Sequence, residues 1–451
     1  MTPPAFDNSM PARISPDCPQ GTRDILYHAW GHDLSELKKL LDARGKASAQ
    51  DPKTGETPLH AAIRACGPAG PASDDDDGED GCVEEAKEVL QELFFSGAIW
   101  NDVDANNETP GCVAHRLGRK SLYEMCVQAG VRAELLFALM DGYEELSSGS
   151  DDEEAESADK ETETGKHQTQ NTNGADADAD ADADAMDTSE DQPASATECA
   201  SSFVPPDANA KTVTSDEYLR SALTYDSAKL VDSDLNGVMM AWETDIMRQS
   251  VAALLPDYQQ QQQQQQPGKR ILNIGFGMGI IDGMLAETNP SRHHIIEAHP
   301  SVLQHVSSPD SKFGPAWENS GPEPGAYKIW AGKWQEVVPK LLEQGEVYDA
   351  IYFDTFGEDY PQLRMFFMEY VPGLMDQNGR FSFFNGLGAD RQVCYDVYAK
   401  VVEMHGADAG LDVEWQDIAV DMAALAEDGK GEWEGVRRRY WTLNRGRPNL
   451  D

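Results

Sequence analysis

A short apolar strand running straight into three alternating glycines constrains this chain more than any other feature. Ile271, Leu272 and Ile274 lead into Gly275, Gly277 and Gly279, and the residues after Gly279 follow a helical pattern. A strand of this kind turns sharply into a helix with no side chains over the backbone amides of the turn. That geometry suits a nucleotide-like ligand lying at the carboxyl end of a parallel strand. About eighteen residues later, Ile295 and Ile296 run into Glu297, whose carboxylate can accept hydrogen bonds from both hydroxyls of a ribose.

Glycine-rich turns serve several ligands. A dinucleotide fingerprint wants glycine three positions after Gly277, where this chain has Ile280, and a P-loop wants Gly-Lys-Ser/Thr, which is absent. Three alternating glycines with an acid at the end of the second strand fit S-adenosylmethionine better than NAD. Another nucleotide site and a purely structural turn stay open.

Charge narrows the partners. The net charge is −44 over 451 residues, but it is unevenly spread. Residues 151–191 hold sixteen acids against two lysines, including the Ala-Asp alternation from Ala175 to Asp184. Such a segment buries too little to offset its chain entropy, so 141–210 is read as a disordered acidic linker. Asp74 to Asp77 form a smaller acidic insertion and Gln259 to Gln266 a polyglutamine loop. From Lys211 to Asp451 there are thirty-six acids and twenty-one bases, a net of −15. That balance disfavours direct nucleic-acid binding and favours a basic protein substrate. The seven cysteines are scattered, odd in number and without a Cys-x-x-Cys pair. They read as reduced thiols with no metal site. No run is apolar enough to span a membrane and no secretory signal is evident, so a soluble chain is expected.

Before the linker, residues 20–140 carry a pattern twice. Thr57-Pro58-Leu59-His60-x-Ala62 resembles the opening of an ankyrin repeat, and Asn107-Glu-Thr-Pro-Gly-Cys-Val-Ala114 is a weaker copy about fifty residues on. His60 at this position reads as a helix-capping structural residue. Stacked helical hairpins make a recognition surface and carry no chemistry; a helical domain that only packs on its neighbour is the alternative.

From 211 to 451 helix and strand alternate, the mark of an α/β fold with a parallel sheet covered on both faces. Strands are expected at 270–275, 293–297, Tyr327 to Trp330, Tyr348 to Asp354, Gly379 to Asn385, 411–419 and 438–443, giving a seven-stranded, mostly parallel, Rossmann-like sheet. Helices are expected near 279–288, 333–344, 360–372 and 389–405. The ligand edge then collects the glycine turn, Glu297, Trp334-Gln335, Asp354 and Asn385.

Six segments make a resemblance specific: Gly237 to Met247, Asn273 to Asp282, Ile295 to His299, Gly332 to Gln335, Phe353 to Gly357 and Phe381 to Gly388. In this order they resemble the fungal protein arginine N-methyltransferase 2 family, type IV enzymes whose catalytic domain is similar to guanidinoacetate methyltransferase. The resemblance implies an S-adenosylmethionine site. In it Gly275, Phe276, Gly277, Met278, Gly279, Ile280 and Ile281 wrap the methionine part, and Glu297 holds the ribose beside Ala298 and His299. Trp334 and Gln335 lie against the adenine. Tyr225, Met239 and Met247, from a helical segment before the sheet, close over the cofactor. Read without the resemblance, Met239, Met240 and Met247 are ordinary helical core. Asn273 stands where the fold usually has an acid two positions before the first glycine, so a water-mediated or amide contact is expected there.

Arginine is a protonated, poor nucleophile, so methyl transfer needs its guanidinium held and relieved of a proton. Carboxylates around the rim of that planar cation do this best. Where the resemblance puts the substrate stand Glu243 and Asp354. Both are read as guanidinium ligands, with Asp354 the proton acceptor and Thr355 and Asn385 orienting. Asp354 could instead bind the cofactor's amino group. The resemblance further implies monomethylation of the internal δ-nitrogen of an arginine in a large-subunit ribosomal protein, by a monomer in cytoplasm and nucleus. A small-molecule guanidino methyltransferase and a catalytically inactive scaffold are the rival readings.

Overall fold

The computed structural model describes residues 7–70, 80–140, 213–226, 229–258, 267–309, 311–425, 431–437, 439–443 and 445–446. The expected acidic linker, Asp74 to Asp77 and the polyglutamine loop lie outside these residues.

The chain begins with helices α1 (Met10–Arg13), α2 (Gln20–Trp30), α3 (Leu34–Leu40), α4 (Pro58–Ala65), α5 (Cys82–Phe95), α6 (Pro110–Arg116) and α7 (Lys120–Met140). The two Thr-Pro segments each start a helix in the same way. Thr57 accepts from the His60 amide to open α4, and Thr109 accepts from the Cys112 amide to open α6, with proline at the first helical position of each. The His60 ring bonds Thr57 through Nδ1 and the Glu108 carbonyl at 2.9 Å through Nε2, so it links the two Thr-Pro segments and is structural, as read from the sequence. Buried charges tie them further. Arg64 meets Glu56 at 3.2 Å and also Asp104, while Arg13 meets Asp104 at 2.9 Å.

Next come α8 (Ser215–Arg220), β1 (Thr224–Tyr225), β2 (Lys229–Val231), β3 (Gly237–Met240) and α9 (Thr244–Leu254). Strands β1, β2 and β3 form a small antiparallel sheet, with Leu230 opposite Met239. Met239 is therefore on a strand and only Met247 on a helix, which corrects the helical segment expected here. Four apolar residues in a row do not distinguish strand from helix by period.

The main sheet uses β4 (Arg270–Ile274), β5 (Arg292–Glu297), β6 (Tyr327–Ala331), β7 (Tyr348–Phe353) and β8 (Met375–Phe383). It interleaves α10 (Ile280–Glu287), α11 (Pro300–Val306), α12 (Pro315–Glu318), α13 (Trp334–Glu343), α14 (Tyr360–Met365) and α15 (Gln392–Asp408). All neighbours are parallel, in the order β6-β5-β4-β7-β8. The first of the five strands is central and the chain reverses direction across it, so a crevice opens at the carboxyl end of β4.

Seven strands were expected; among the described residues the sheet has five. Near 411–419 and 438–443 the chain forms only β9 (Ile418–Ala419) and β10 (Arg445–Gly446), an antiparallel pair of their own. The reason is aromatic. Trp433 and Trp441 are each 1% exposed and pack with Met240, Ile246 and Tyr395, which holds the C-terminal segment against β3 and α9 and away from the β8 edge.

One apolar core runs from Ile14, Leu26 and Leu59 through Leu122 and Val127 to Val397, Phe353 and Leu272. The contacts of α6 and α7 with α15 need glycine. A methyl added at Gly130 would lie 2.6 Å from Val397, and one at Gly111 would lie 2.6 Å from Val393. Tyr123 donates to Asp396 at 2.6 Å across the same contact. Among the described residues, no helix is long and apolar enough to cross a membrane.

Candidate active site

The three glycines turn with φ of +94, +55 and +70 degrees at Gly275, Gly277 and Gly279, a region other residues rarely enter. Space excludes side chains as well. A methyl at Gly275 would meet the Asp354 carbonyl oxygen at 1.8 Å, and one at Gly277 would meet Met239 Cε at 2.6 Å. Close approach of the turn to β7 follows, with the Asp354 amide donating to the Ile274 carbonyl at 2.8 Å. Asn273 is fully buried behind the turn. Its side-chain amide donates to the Gly275 carbonyl at 2.9 Å and to Asp282 at 2.7 Å, and Asp282 also pairs with His293 at 2.9 Å. The position that usually carries an acid thus braces the turn onto α10.

Glu297 ends β5 with 6% exposure and accepts from the Phe276 amide at 2.9 Å and the His299 amide at 2.6 Å. Burial raises its carboxyl above the usual range, and these backbone amides work against that rise.

A cavity of about 630 Å³, its open mouth included, is lined by Met239, Gly275, Gly277, Glu297, Ala298, Trp334, Gln335 and Asp354, all read from the sequence. The other residues named for this site lie behind its wall. Met247 is fully buried in the core with Leu254 and Ile271. Phe276 packs edge-on against Phe313, and Ile281 is 2% exposed. The His299 ring bonds the Tyr218 carbonyl at 3.0 Å, and Tyr225 reaches the Gly277 carbonyl at 3.3 Å. Met278 meets Met239 Sδ through its amide at 3.3 Å, while Gly279 and Ile280 form the start of α10. These residues shape the turn from outside the cavity.

Sequence reading missed Glu358 and Tyr218, which also line the cavity. Glu358 accepts from Trp334 Nε1 and Gln335 Nε2 at 3.0 Å each and from Thr355 Oγ1 at 2.8 Å, so it sets the orientation of both predicted wall residues. A signal was present: Glu358 follows the fourth strand by five residues, on the edge where ligands bind.

A second, larger cavity adjoins the first and shares Asp354, Gln335 and Glu358 with it. Five acids line it (Asp216, Glu243, Asp354, Glu358 and Asp359) against one base, Lys333, which pairs with Asp216 at 2.9 Å. Glu243, 2% exposed, accepts from the Met240 amide at 2.8 Å and from the Tyr440 hydroxyl. Asp354 Oδ2 and both amide atoms of Asn385 are buried without a partner. Burial first, and then the nearby Asp354, raises the Glu243 carboxyl; burial raises Asp354. Two buried acids this near each other disfavour double ionisation.

The guanidinoacetate N-methyltransferase family profile matches residues 216–404. A protein arginine N-methyltransferase 2 of Gibberella zeae is 67% identical, covering 97% of this chain and 94% of the relative. Its counterpart in Neurospora crassa is 63% identical over 98% of this chain and 97% of that one. That of Yarrowia lipolytica is 36% identical, over 86% and 82%. Among solved structures, human methyltransferase-like protein 13 in complex with SAH is similar with a TM-score of 0.30 at 15% identity, over 46% of this chain and 80% of that one.

Proposed function

The chain belongs to the protein arginine N-methyltransferase 2 family and is a protein arginine N-methyltransferase; from that premise we propose that it moves one methyl group from S-adenosylmethionine to the δ-nitrogen of an arginine in a large-subunit ribosomal protein. The observation that carries the reading is the junction of the two cavities at Asp354, one cavity ending in the glycine turn and the other lined by acids.

The residues of the first cavity fit the cofactor. The cradle excludes any side chain at Gly275 and Gly277, and Glu297 stands at the end of the neighbouring strand. Gly275 and Gly277 would hold the methionine part, Glu297 the ribose, and Ala298, Trp334 and Gln335 the adenine. S-adenosylmethionine, when bound, supplies an electrophilic methyl group.

This chain's own residues then act on the substrate. Glu243 and Asp354 hold the guanidinium rim from two sides, and the cation draws both carboxyls into their ionised forms. Asp354, with one oxygen unpartnered, takes the proton that the δ-nitrogen must lose. One transfer is the limit, because that nitrogen has one hydrogen to replace. The excess of acids along the second cavity supports a basic protein segment as substrate and no direct nucleic acid. The N-terminal helices, with their ankyrin-like Thr-Pro starts, add recognition surface to residues 211–451. A monomer in cytoplasm and nucleus completes the reading.

The test is methyl-labelled cofactor with the purified chain, offered total ribosomal protein and free guanidinoacetate, followed by fragmentation mass spectrometry. Label on a δ-monomethylated arginine of one large-subunit protein is expected. Label on terminal nitrogens overturns the choice of nitrogen. Label on free guanidinoacetate alone favours the small-molecule reading that the family profile over 216–404 invites.

A further inference from the structure

The N-terminal helices hold a cluster that methyl transfer does not use. His32 sits in the turn between α2 and α3, Cys66 caps the end of α4 and Cys82 opens α5. Cys82 lies 16 residues after Cys66 and 50 after His32, so no short spacing announces them together. The fold does bring them together. Cys66 Sγ is 3.3 Å from Cys82 Sγ, Cys82 Sγ is 3.6 Å from His32 Nδ1, and all three atoms lie within 4.8 Å of one another.

These separations approach the edges of a small tetrahedron. A zinc ion with bonds of about 2.3 Å to sulfur and about 2.0–2.1 Å to nitrogen sets its ligand atoms roughly 3.5–3.8 Å apart. The histidine is also prepared for a metal. Its Nε2 is 2.8 Å from the Ala62 carbonyl, which can only accept, so Nε2 carries the proton and Nδ1 keeps its lone pair toward the sulfurs. His32 holds this pose with φ at +49 degrees, uncommon outside glycine. Its side chain is 5% exposed and Cys66 is 9% exposed, so these two donors are withdrawn from solvent, while Cys82 is half-buried.

A fourth donor is at hand. Glu85 stands one helical turn after Cys82 on the same face of α5, with Oε2 at 4.0 Å from His32 Nδ1 and a side chain 73% exposed and free to turn inward. The nearby cation, Arg119, is engaged by Asp80 at 3.2 Å and by backbone carbonyls. Burial, and then the neighbouring Cys82, pushes the Cys66 thiol up.

We propose that His32 Nδ1, the Cys66 and Cys82 thiolates and Glu85 bind one structural zinc ion. Two sulfurs, one imidazole and one carboxylate match zinc among the common divalent ions. Binding releases the two thiol protons to solvent and fastens the α2–α3 turn, the end of α4 and the start of α5 to one centre. Because the site lies in helices outside the methyl-transfer cavities, it stands apart from the reading of the catalytic function.

The experiment uses the full chain, purified reduced and without chelator. Elemental analysis is expected to find one zinc per chain after dialysis. Replacement by cobalt should give a thiolate-to-cobalt charge-transfer band with tetrahedral d–d absorption. Cys82→Ser should lose the metal, Glu85→Gln should weaken it less, and Cys394→Ser should keep it. The cobalt spectrum of the parent needs no variant, so a misfolded Cys82→Ser would not block the test. Metal content at background with no cobalt band overturns the proposal. So does a Cys66–Cys82 disulfide that forms in the parent at the same rate with and without zinc.

Discussion

Two groups of buried carboxylates in this molecule are built in opposite ways. In the N-terminal helices, Glu56 and Asp104 lie among the guanidiniums of Arg13 and Arg64, and Glu108 is gripped by Arg116 through both oxygens at 2.6 and 2.8 Å. At the cavity junction, Glu243 and Asp354 line one cavity, and among the described residues the hydrogen-bond donors are on Glu243 alone and no arginine or lysine is bonded to either. Burial raises Glu56 as it raises Glu243, but the next contributions differ in sign: Arg64 and Arg13 pull Glu56 back, whereas Asp354 pushes Glu243 further up. The first group has its cations in place and holds helices together, although Glu56 Oε1 and Arg13 Nε are left without partners. The second is incomplete and costs stability until a cation from outside completes it. An unpaired acid pair kept at a cavity wall is therefore a mark of what the cavity receives.

Breaking the first group should have the largest effect on folding. Arg64→Ala leaves Glu56 and Asp104 buried with one of their two guanidinium partners gone and should destabilise the chain by about 3–5 kcal/mol. Urea unfolding followed by circular dichroism checks this; a loss below about 1 kcal/mol would mean that the two groups do not differ as described.

Glu297 is an intermediate case, a buried acid satisfied by backbone amides. Glu297→Ala should weaken S-adenosylmethionine binding by about 1.5–3 kcal/mol, the scale of a hydrogen bond to a charged group. Calorimetry with unchanged affinity would remove Glu297 from the cofactor site.

The smallest effect sharpens the contrast through pH. The carboxyls of Glu243 and Asp354 are raised in the folded state, so the free enzyme keeps their full contribution below about pH 4, the unfolded carboxyl range, and loses it as pH rises through the raised values. Glu243→Gln removes that loss. Its melting temperature should match the parent in acid and exceed it by a few degrees at alkaline pH. A gap that is constant across pH, or reversed, would show that the pair is not protonated in the free enzyme.

Much of the sheet was legible in the sequence because parallel strands buried on both faces carry apolar runs, as in Tyr348–Phe353 and, more briefly, the pair Ile295-Ile296 of β5. Gly275, Gly277 and Gly279 were legible because their φ values admit little else. What escaped was set by distant packing. The C-terminal segment alternates like a strand, yet Trp433 and Trp441 hold it against Trp242. Met247 has the chemistry of a cofactor wall, but its helix turns it into the core. Glu358 gains its role only when α13 brings Trp334 and Gln335 to it. His32, Cys66 and Cys82 were read as unrelated because their meeting depends on how α2, α4 and α5 stack, which spacing along the chain does not encode.

The most direct test of the carboxylate pair is single-turnover methyl transfer to an arginine peptide at saturating cofactor, comparing the parent with Glu243→Gln and Asp354→Asn. Both changes keep the shape and remove a charge that the proposed mechanism sets against the guanidinium. The account predicts that kcat/KM falls by about 100-fold or more in each, with the loss in Asp354→Asn appearing mainly in kcat, while neither variant unfolds more readily than the parent. Rates in both variants within about threefold of the parent, on folded protein that still binds cofactor, would contradict it.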